Sequence, residues 1–296
     1  MKKHRFPVED RIYYTVVYAI TFLLSISVLY PLVIILSSSF SSPGAVSTGR
    51  VVLLPVEPGL HGYITVFRDS RVPMGYRNTI FYTITGTFIK VGMTLICAYP
   101  LSRKSLPFRG VFTIFFTFTM LFSGGMIPNY ILLRDLRMLN TIWAMIIPGA
   151  FSVYSMIITR TFISTSIPGE ILEATQIDGC SDFKYFFLFV LPLSKAVIAV
   201  ITMQYAVGHW NAYFSAFIYL TKKELYPLQV FLREILILSQ FTPSDIMDTE
   251  TAIALQGLAD LLKYSLIVIS TAPILCIYPF FQKYFVKGIM IGSIKG

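Results

Sequence analysis

The sequence predicts an all-α membrane protein with six transmembrane helices, and three observations carry that reading. Hydrophobic residues fill 55% of the 296 positions and charged residues only 13%, with a mean hydropathy of +0.70, whereas a soluble domain carries about 25% charge. Charge-free stretches run over 12–49, 110–133, 138–159, 196–221 and 264–282, and a sixth, 78–102, is interrupted only by Lys90. Each approaches or exceeds the roughly 20 apolar residues that cross a hydrocarbon core. Finally, Lys2, Lys3, Arg5 and Arg11 precede the first stretch, Arg103, Lys104 and Arg109 fill the second loop, and Lys283, Lys287 and Lys295 close the chain. With six spans these lie on one side, which the positive-inside rule makes cytoplasmic, so both termini are expected inside. The net charge of +9 thus follows topology and requires no nucleic-acid partner.

Span 1 is expected over roughly 12–36. Its apolar run is too long for a signal peptide and is followed by no small-residue cleavage site, so no cleavage is expected. A long external segment, 37–77, follows, with turns expected at Pro43-Gly44 and at Pro55 to Gly59. Its Arg50, Arg68, Arg71 and Arg77 read either as a solvated loop or as a docking surface for an external partner. Span 2 runs from Asn78 to about Ser102 with Lys90 near its middle. Such a lysine faces other helices or a water-filled cavity, as a functional group or as one satisfied by backbone carbonyls. Span 3, from Gly110, meets Gly124-Gly125 and Pro128 near its outer end, where a bend is expected, with Asn129 and Tyr130 following.

Span 4 is expected from Asn140 to Ile158, kinked at Pro148-Gly149, with Tyr154 on its second half. Span 5 starts near Pro192 and holds His209, Trp210, Asn211 and Tyr213. Trp, Asn and Tyr together offer a stacking face and hydrogen bonds suited to a sugar, although the same cluster also fits an interfacial aromatic belt. A second external segment, 222–257, mixes Lys222, Lys223 and Arg233 with Glu224, Glu234, Asp245, Asp248 and Glu250. Span 6 runs from about Tyr264 to Phe281. Cys97, Cys180 and Cys276 are scattered, so neither a disulfide framework nor a zinc spacing exists.

Between spans 4 and 5, residues 166–192 carry Glu170, Glu173, Asp178, Asp182 and Lys184, too many charges for lipid. Pro168 suits the first turn of a helix and Glu170 and Glu173 suit its positive end. Asp178-Gly179 reads as its stop, and Ser181 as the cap of a second short helix through Phe183 towards Leu191-Pro192.

Glu173-Ala174-Thr175, three residues, Gly179, nine residues, Phe189, one residue and Leu191-Pro192 resembles the EAA loop of ABC importer permeases. Thr175 stands where that pattern has a second Ala, and Phe189 where it has Ile. From about Tyr63 onward the chain resembles the sugar-importer branch, especially the second subunit of maltose permeases. Asn78-Thr79, Tyr99-Pro100-Leu101-Ser102-Arg103, Trp210-Asn211 and the tail from Gln282 to Gly288 carry that likeness. Gly125-Met126-Ile127-Pro128 and Pro227-Leu228-Gln229 are similar to a subgroup importing polysaccharide fragments such as aldouronates and alginate oligosaccharides.

The resemblance implies a type I importer permease fold in a bacterial cytoplasmic (inner) membrane. Residues 1–77 would form an N-terminal tail, first helix and external loop, 78–282 the permease core with its coupling loop, and 283–296 a cytoplasmic tail. It implies a second homologous permease, an ATPase dimer, an extracytoplasmic solute-binding protein and an oligosaccharide substrate. Glu170, Glu173, Ala174, Asp178, Gly179, Phe183, Leu191 and Pro192 are then the ATPase-coupling candidates. Lys90, Asn129, Tyr130, Tyr154, His209, Trp210, Asn211 and Tyr213 are the substrate-pathway candidates. Magnesium-ATP belongs to the partner, because this chain has no phosphate-binding loop, and it carries no catalytic or metal-binding set. Two rival classes are an ion-coupled secondary transporter, which would show internal repeats, and a membrane-embedded enzyme. The second lacks its constellation, since His4, His61 and His209 are scattered and no span holds a carboxylate pair.

Overall fold

The computed structural model describes residues 8–238 and 249–293, and among them every regular element is helical. Lys2, Lys3, His4, Arg5, Asp245, Asp248 and Lys295 lie outside the described residues. The chain divides into two compact units, Met1–Ser70 with Leu232–Thr271 and Arg71–Phe231 with Ala272–Gly296.

In the first unit, helix α1 (Val8–Ser39) exposes its apolar side chains on every face over most of its length. That is the pattern of a helix whose solvent is lipid. Its polar groups are hidden locally: the hydroxyls of Thr15, Thr21 and Ser25 each donate to the carbonyl four residues back, at 2.7–2.8 Å. At its C-terminal end a run of serines clips the following segment in place. Ser37 donates to the Leu53 carbonyl at 2.6 Å, Ser41 accepts from the Val56 N–H at 3.0 Å, and Ser39 shares a 2.7 Å hydrogen bond with the Tyr63 hydroxyl. Pro43-Gly44, expected as a turn, instead opens the short helix α2 (Pro43–Ser47), because Ser42 accepts from the Ala45 N–H and proline suits the first helical position. Arg50 pairs with Glu57 at 3.6 Å, and α3 (His61–Arg68) follows.

The second unit is built on α4 (Arg71–Ser102), which begins seven residues before the expected start of span 2. It packs along α12 (Lys195–Trp210) and α8 (Val153–Ser166). In its N-terminal part Asn78 donates to the carbonyls of Glu224 and Tyr226 at 2.7 and 3.0 Å, and Tyr82 donates to that of Leu225 at 2.9 Å. Thr79 accepts from the Leu228 N–H at 2.8 Å, supplying an acceptor at the start of α14 (Leu228–Leu238). The Asn78-Thr79 pair therefore fastens the second external segment to α4.

Three expected spans are not single helices. Over 110–133, α5 (Arg109–Leu121) and α6 (Met126–Asp135) meet at 108°, since Gly125 takes φ +87°, a conformation that ends a helix. Over 138–159 the expected kink is a complete break. The four-residue α7 (Trp143–Ile146) ends before Pro148 and Gly149 (φ +67°), and α8 restarts at Ser152, whose hydroxyl accepts from the Ser155 N–H. Over 196–221 helix α12 stops at Asn211. There Tyr213 donates to the Asn211 carbonyl at 2.7 Å around Ala212 (φ −73°, ψ 67°), an inverse γ-turn before α13 (Tyr213–Tyr219).

Among the described residues three helices, Asp10–Ser39, Arg71–Ser102 and Gln256–Tyr284, are long and apolar enough to cross a membrane, and the number rises to five if each of two bent pairs is one span. The last of them belongs to α15 (Thr249–Ser293), which continues beyond the expected end of span 6.

Candidate functional site

Residues 166–193 fold into a compact helical module. Pro168 (φ −59°, ψ 140°) occupies the N-cap position, one place earlier than expected, and α9 (Gly169–Ile177) carries Glu170 in its first turn. The helix ends in a Schellman motif. The Cys180 N–H donates to the Thr175 carbonyl at 2.9 Å and the Gly179 N–H to that of Gln176 at 3.0 Å, with Gly179 at φ +73°. Ser181 then accepts from the Lys184 N–H at 3.4 Å and caps α10 (Asp182–Tyr185).

A turn of π-helix, Phe186–Val190, leads into α11 (Leu191–Leu193). Pro192 has no N–H to return to the Leu188 carbonyl, which favours the widened turn. A corner at the buried Ser194 sets the segment 182–193 at 78° to α12.

What anchors this module is aromatic. Tyr185 and Val190 are buried with Ile163 in a cluster that also takes in Tyr99, Leu172 and Phe189. Phe189, the departure from Ile, stacks on Tyr185 with centroids 5.6 Å apart. Thr175, the departure from Ala, is buried and donates to the Leu172 carbonyl at 2.8 Å, so its hydroxyl is satisfied. Burial raises the Tyr185 hydroxyl pKa and the nearby Arg103 charge opposes that rise.

Arg103, at the inner end of α4, closes the arrangement. It donates to the Tyr99 hydroxyl at 2.9 Å, pairs with Asp182 at 3.3 Å, and lies over the rings of Tyr99 and Tyr185 at 5.7 and 5.8 Å. The sequence marks Arg103 by topology and by its place in the sugar-importer likeness, but gives it no structural role. Its closeness to Tyr99 was a usable signal, because arginine stacks on aromatic faces. A cavity of about 400 Å³ lies beside this clamp, lined in part by Arg103, Lys104, Gly169 and Glu173.

The outward face of the module holds Glu170, Glu173, Ala174, Asp178 and Phe183, all exposed, while Gly179 makes the turn and Leu191-Pro192 the approach to the corner. Ile177, which the sequence reading passed over, is 87% exposed and lies one turn beyond Glu173 and Ala174. An apolar side chain at i+7 from Glu170, on the charged side of an amphipathic helix, was its signal.

The substrate-pathway candidates are not gathered in one place. Lys90 is half-buried with its ammonium 5.6 Å from the centre of the Tyr205 ring. His209 is buried against Gly86, where an added Cβ would collide with the imidazole. Trp210 is buried too, edge-on to Tyr76 at 6.2 Å, rather than presenting a free stacking face. Asn211 caps α12 and Tyr213 stacks on Phe217 at 5.8 Å. Asn129, Tyr130 and Tyr154 are exposed on α6 and α8, with Tyr130 stacked on Tyr219 at 6.5 Å.

No family model matches the chain. The polygalacturonan/rhamnogalacturonan transport system permease protein YtcP of Bacillus subtilis (strain 168) is 34% identical over 288 residues, 97% of this chain and 100% of that protein. The chain belongs to the ABC importer permease family. Protein LplC of the same organism is 38% identical to the permease over 267 residues, covering 90% of this chain and 89% of its own. A chain from the crystal structure of a bacterial ABC transporter involved in the import of the acidic polysaccharide alginate matches with a TM-score of 0.83 at 33% identity, covering 95% of the permease and 99% of that chain. The permease is accordingly a transport subunit and not an enzyme, and its relatives serve sugar import.

Proposed function

We propose that the permease moves oligosaccharides derived from an acidic polysaccharide into the cytoplasm by alternating access, driven by ATP hydrolysed on a partner. The acidic substrate rests on what two relatives carry, polygalacturonan/rhamnogalacturonan and alginate. In this reading the subunit pairs with a second homologous permease, takes sugar from an extracytoplasmic solute-binding protein, and sits on an ATPase dimer that binds magnesium-ATP. In the same reading it crosses a bacterial inner membrane six times, with the first helix and external loop ahead of residue 78 and the transport core after it, and the charge distribution supports termini on the cytoplasmic side.

The observation that carries the coupling role is the anchored module 166–193. Its inner face is fixed by Tyr185, Val190 and Arg103, while Glu173, Ala174, Ile177 and Phe183 project outward. A rigid projection with a mixed polar and apolar tip can seat in a groove of an ATPase subunit and move as a body when that dimer closes. Glu173 supplies polar contact at the seat, and Leu191-Pro192 carries the movement to α12.

The test is an Ala174→Cys variant in a Cys180→Ser background, treated with a short thiol crosslinker in membranes containing the whole importer. An adduct with the ATP-binding subunit is expected. A cysteine that reacts freely from the cytoplasm yet gives no adduct refutes the coupling assignment.

A further inference from the structure

Helix α4 carries Thr83, Thr87, Lys90 and Thr94 at intervals of four, three and four residues, one polar stripe on a helix of 3.6 residues per turn. Lys90 lies 12 residues from the inner end of α4, about 18 Å along the axis, deep in any bilayer the helix crosses. A charge at that depth is costly and calls for a counter-charge or a wet cavity. Lys263, in another helix long and apolar enough to cross a membrane, is paired with Asp260 at 2.8 Å. Among the described residues Lys90 has no such carboxylate, only the face of Tyr205, whose hydroxyl shares a 2.7 Å hydrogen bond with Thr94.

The hydroxyls of the stripe differ from others in the molecule. Thr15, Thr21, Ser25, Thr113, Thr117 and Thr159 all return to the carbonyl four residues back, the usual resting place for a hydroxyl inside a helix. The buried hydroxyls of Thr83 and Thr87 do not, and the facing His209, itself 4% exposed, leaves Nε2 without a hydrogen-bond partner. A cation without a carboxylate partner and two unused hydroxyls thus share one stripe of α4, and the His209 ring of α12 packs against the same helix at Gly86. Buried polar groups are otherwise nearly always satisfied, so such a set fits a polar ligand that visits.

We propose that Lys90 is the counter-charge for a sugar carboxylate in transit, with Thr83, Thr87 and His209 taking hydroxyls of the same or the next sugar unit. The inference rests on the acidic-sugar reading above and deepens it to the residue that meets the carboxylate. At rest the ammonium is parked on Tyr205, and a carboxylate entering the seam replaces that ring as its partner. A neutral sugar offers no such exchange, so the stripe discriminates by charge rather than by size.

The test uses the whole importer in proteoliposomes and compares ATP-dependent uptake of a galacturonic acid oligomer with uptake of its methyl ester. In wild type, acid uptake is expected to exceed ester uptake. Lys90→Met is expected to lower the acid-to-ester ratio at least about tenfold, the worth of one charge-assisted hydrogen bond, and Lys90→Arg to hold it within about threefold. Should Lys90→Met fail to assemble, Lys90→Cys is read before and after reaction with a reagent that adds an aminoethyl group. Recovery of the ratio is expected with that group and none with a neutral methyl group. An unchanged ratio in Lys90→Met, an equal fall for both substrates, or no recovery on aminoethylation overturns the role of Lys90 while leaving sugar import intact. A wild-type importer that moves neither oligomer overturns the acidic-sugar reading itself, which shows before any variant is made.

Discussion

Replacing Arg103 with alanine tests what holds the module 166–193 against α4. The ion pair with Asp182 contributes little, because the carboxylate side chain is 72% exposed and such pairs are worth about 0–1 kcal/mol. The hydrogen bond from the charged guanidinium to the Tyr99 hydroxyl adds about 1 kcal/mol after allowance for partial exposure. Stacking over Tyr99 and Tyr185 adds about 0.5 kcal/mol for each ring. The loss is then about 2 kcal/mol, which raises the population of the locally open module about 30-fold.

Hydrogen exchange of the backbone amides of 181–190, measured on the assembled importer, reads that population directly. Arg103→Ala is expected to speed exchange there about 30-fold, and Asp182→Ala no more than about twofold. Arg103→Lys keeps the charge but loses the planar fork and the stacking, so it should fall nearer to alanine than to wild type. Equal acceleration by Asp182→Ala and Arg103→Ala would mean that the ion pair is the fastening. No acceleration by Arg103→Ala would mean that the apolar cluster alone suffices.

Two further predictions concern the frame that carries the site. Gly86→Ala places a methyl group where the His209 imidazole lies and is expected to cost about 1–3 kcal/mol, read as a lowered melting temperature in detergent. In a His209→Ala background the same change should cost nothing measurable, and a full cost there would mean that α4 needs glycine for another reason. Thr79→Val removes the acceptor for the Leu228 N–H and leaves that buried donor unpaired, at about 1–3 kcal/mol. Thr79→Ser should stay within about 0.5 kcal/mol of wild type, and faster proteolysis around 222–231 in the valine variant alone is the readout.

Local chemistry was legible in the sequence wherever the determinants lie close together in the chain. The stop at Gly179 and the cap at Ser181 each depend on a few neighbouring residues, and each came out where expected. Continuity of the spans was less legible. An apolar stretch reports the solvent a segment tolerates, not whether its backbone stays helical, so 110–133, 138–159 and 196–221 hid full breaks behind uniform hydropathy. Only glycine and proline marked the first two, and nothing in the residue types marked the turn at Ala212. The clamp at Arg103 was hidden for a different reason: its partner Asp182 is 79 residues away, and topology alone already accounted for a basic residue there. Among the pathway candidates residue type was a poor guide, since Trp210 is packed inside while Tyr130 and Tyr154 face outward.

The corner at Ser194 determines how a push from below is spent. With 182–193 nearly perpendicular to α12, thrust along the short arm would arrive across the long one, so α12 would swing about its N-terminal end instead of sliding through its neighbours. Its 16 residues form an arm about 24 Å long. A turn of about 10° at the corner would sweep the far end sideways by about 4 Å. Tyr205 and His209 ride on that far half while Lys90 stays with α4, so the motion that opens a passage would also draw the parked ammonium off its ring. In such a crank, access and selectivity share one stroke.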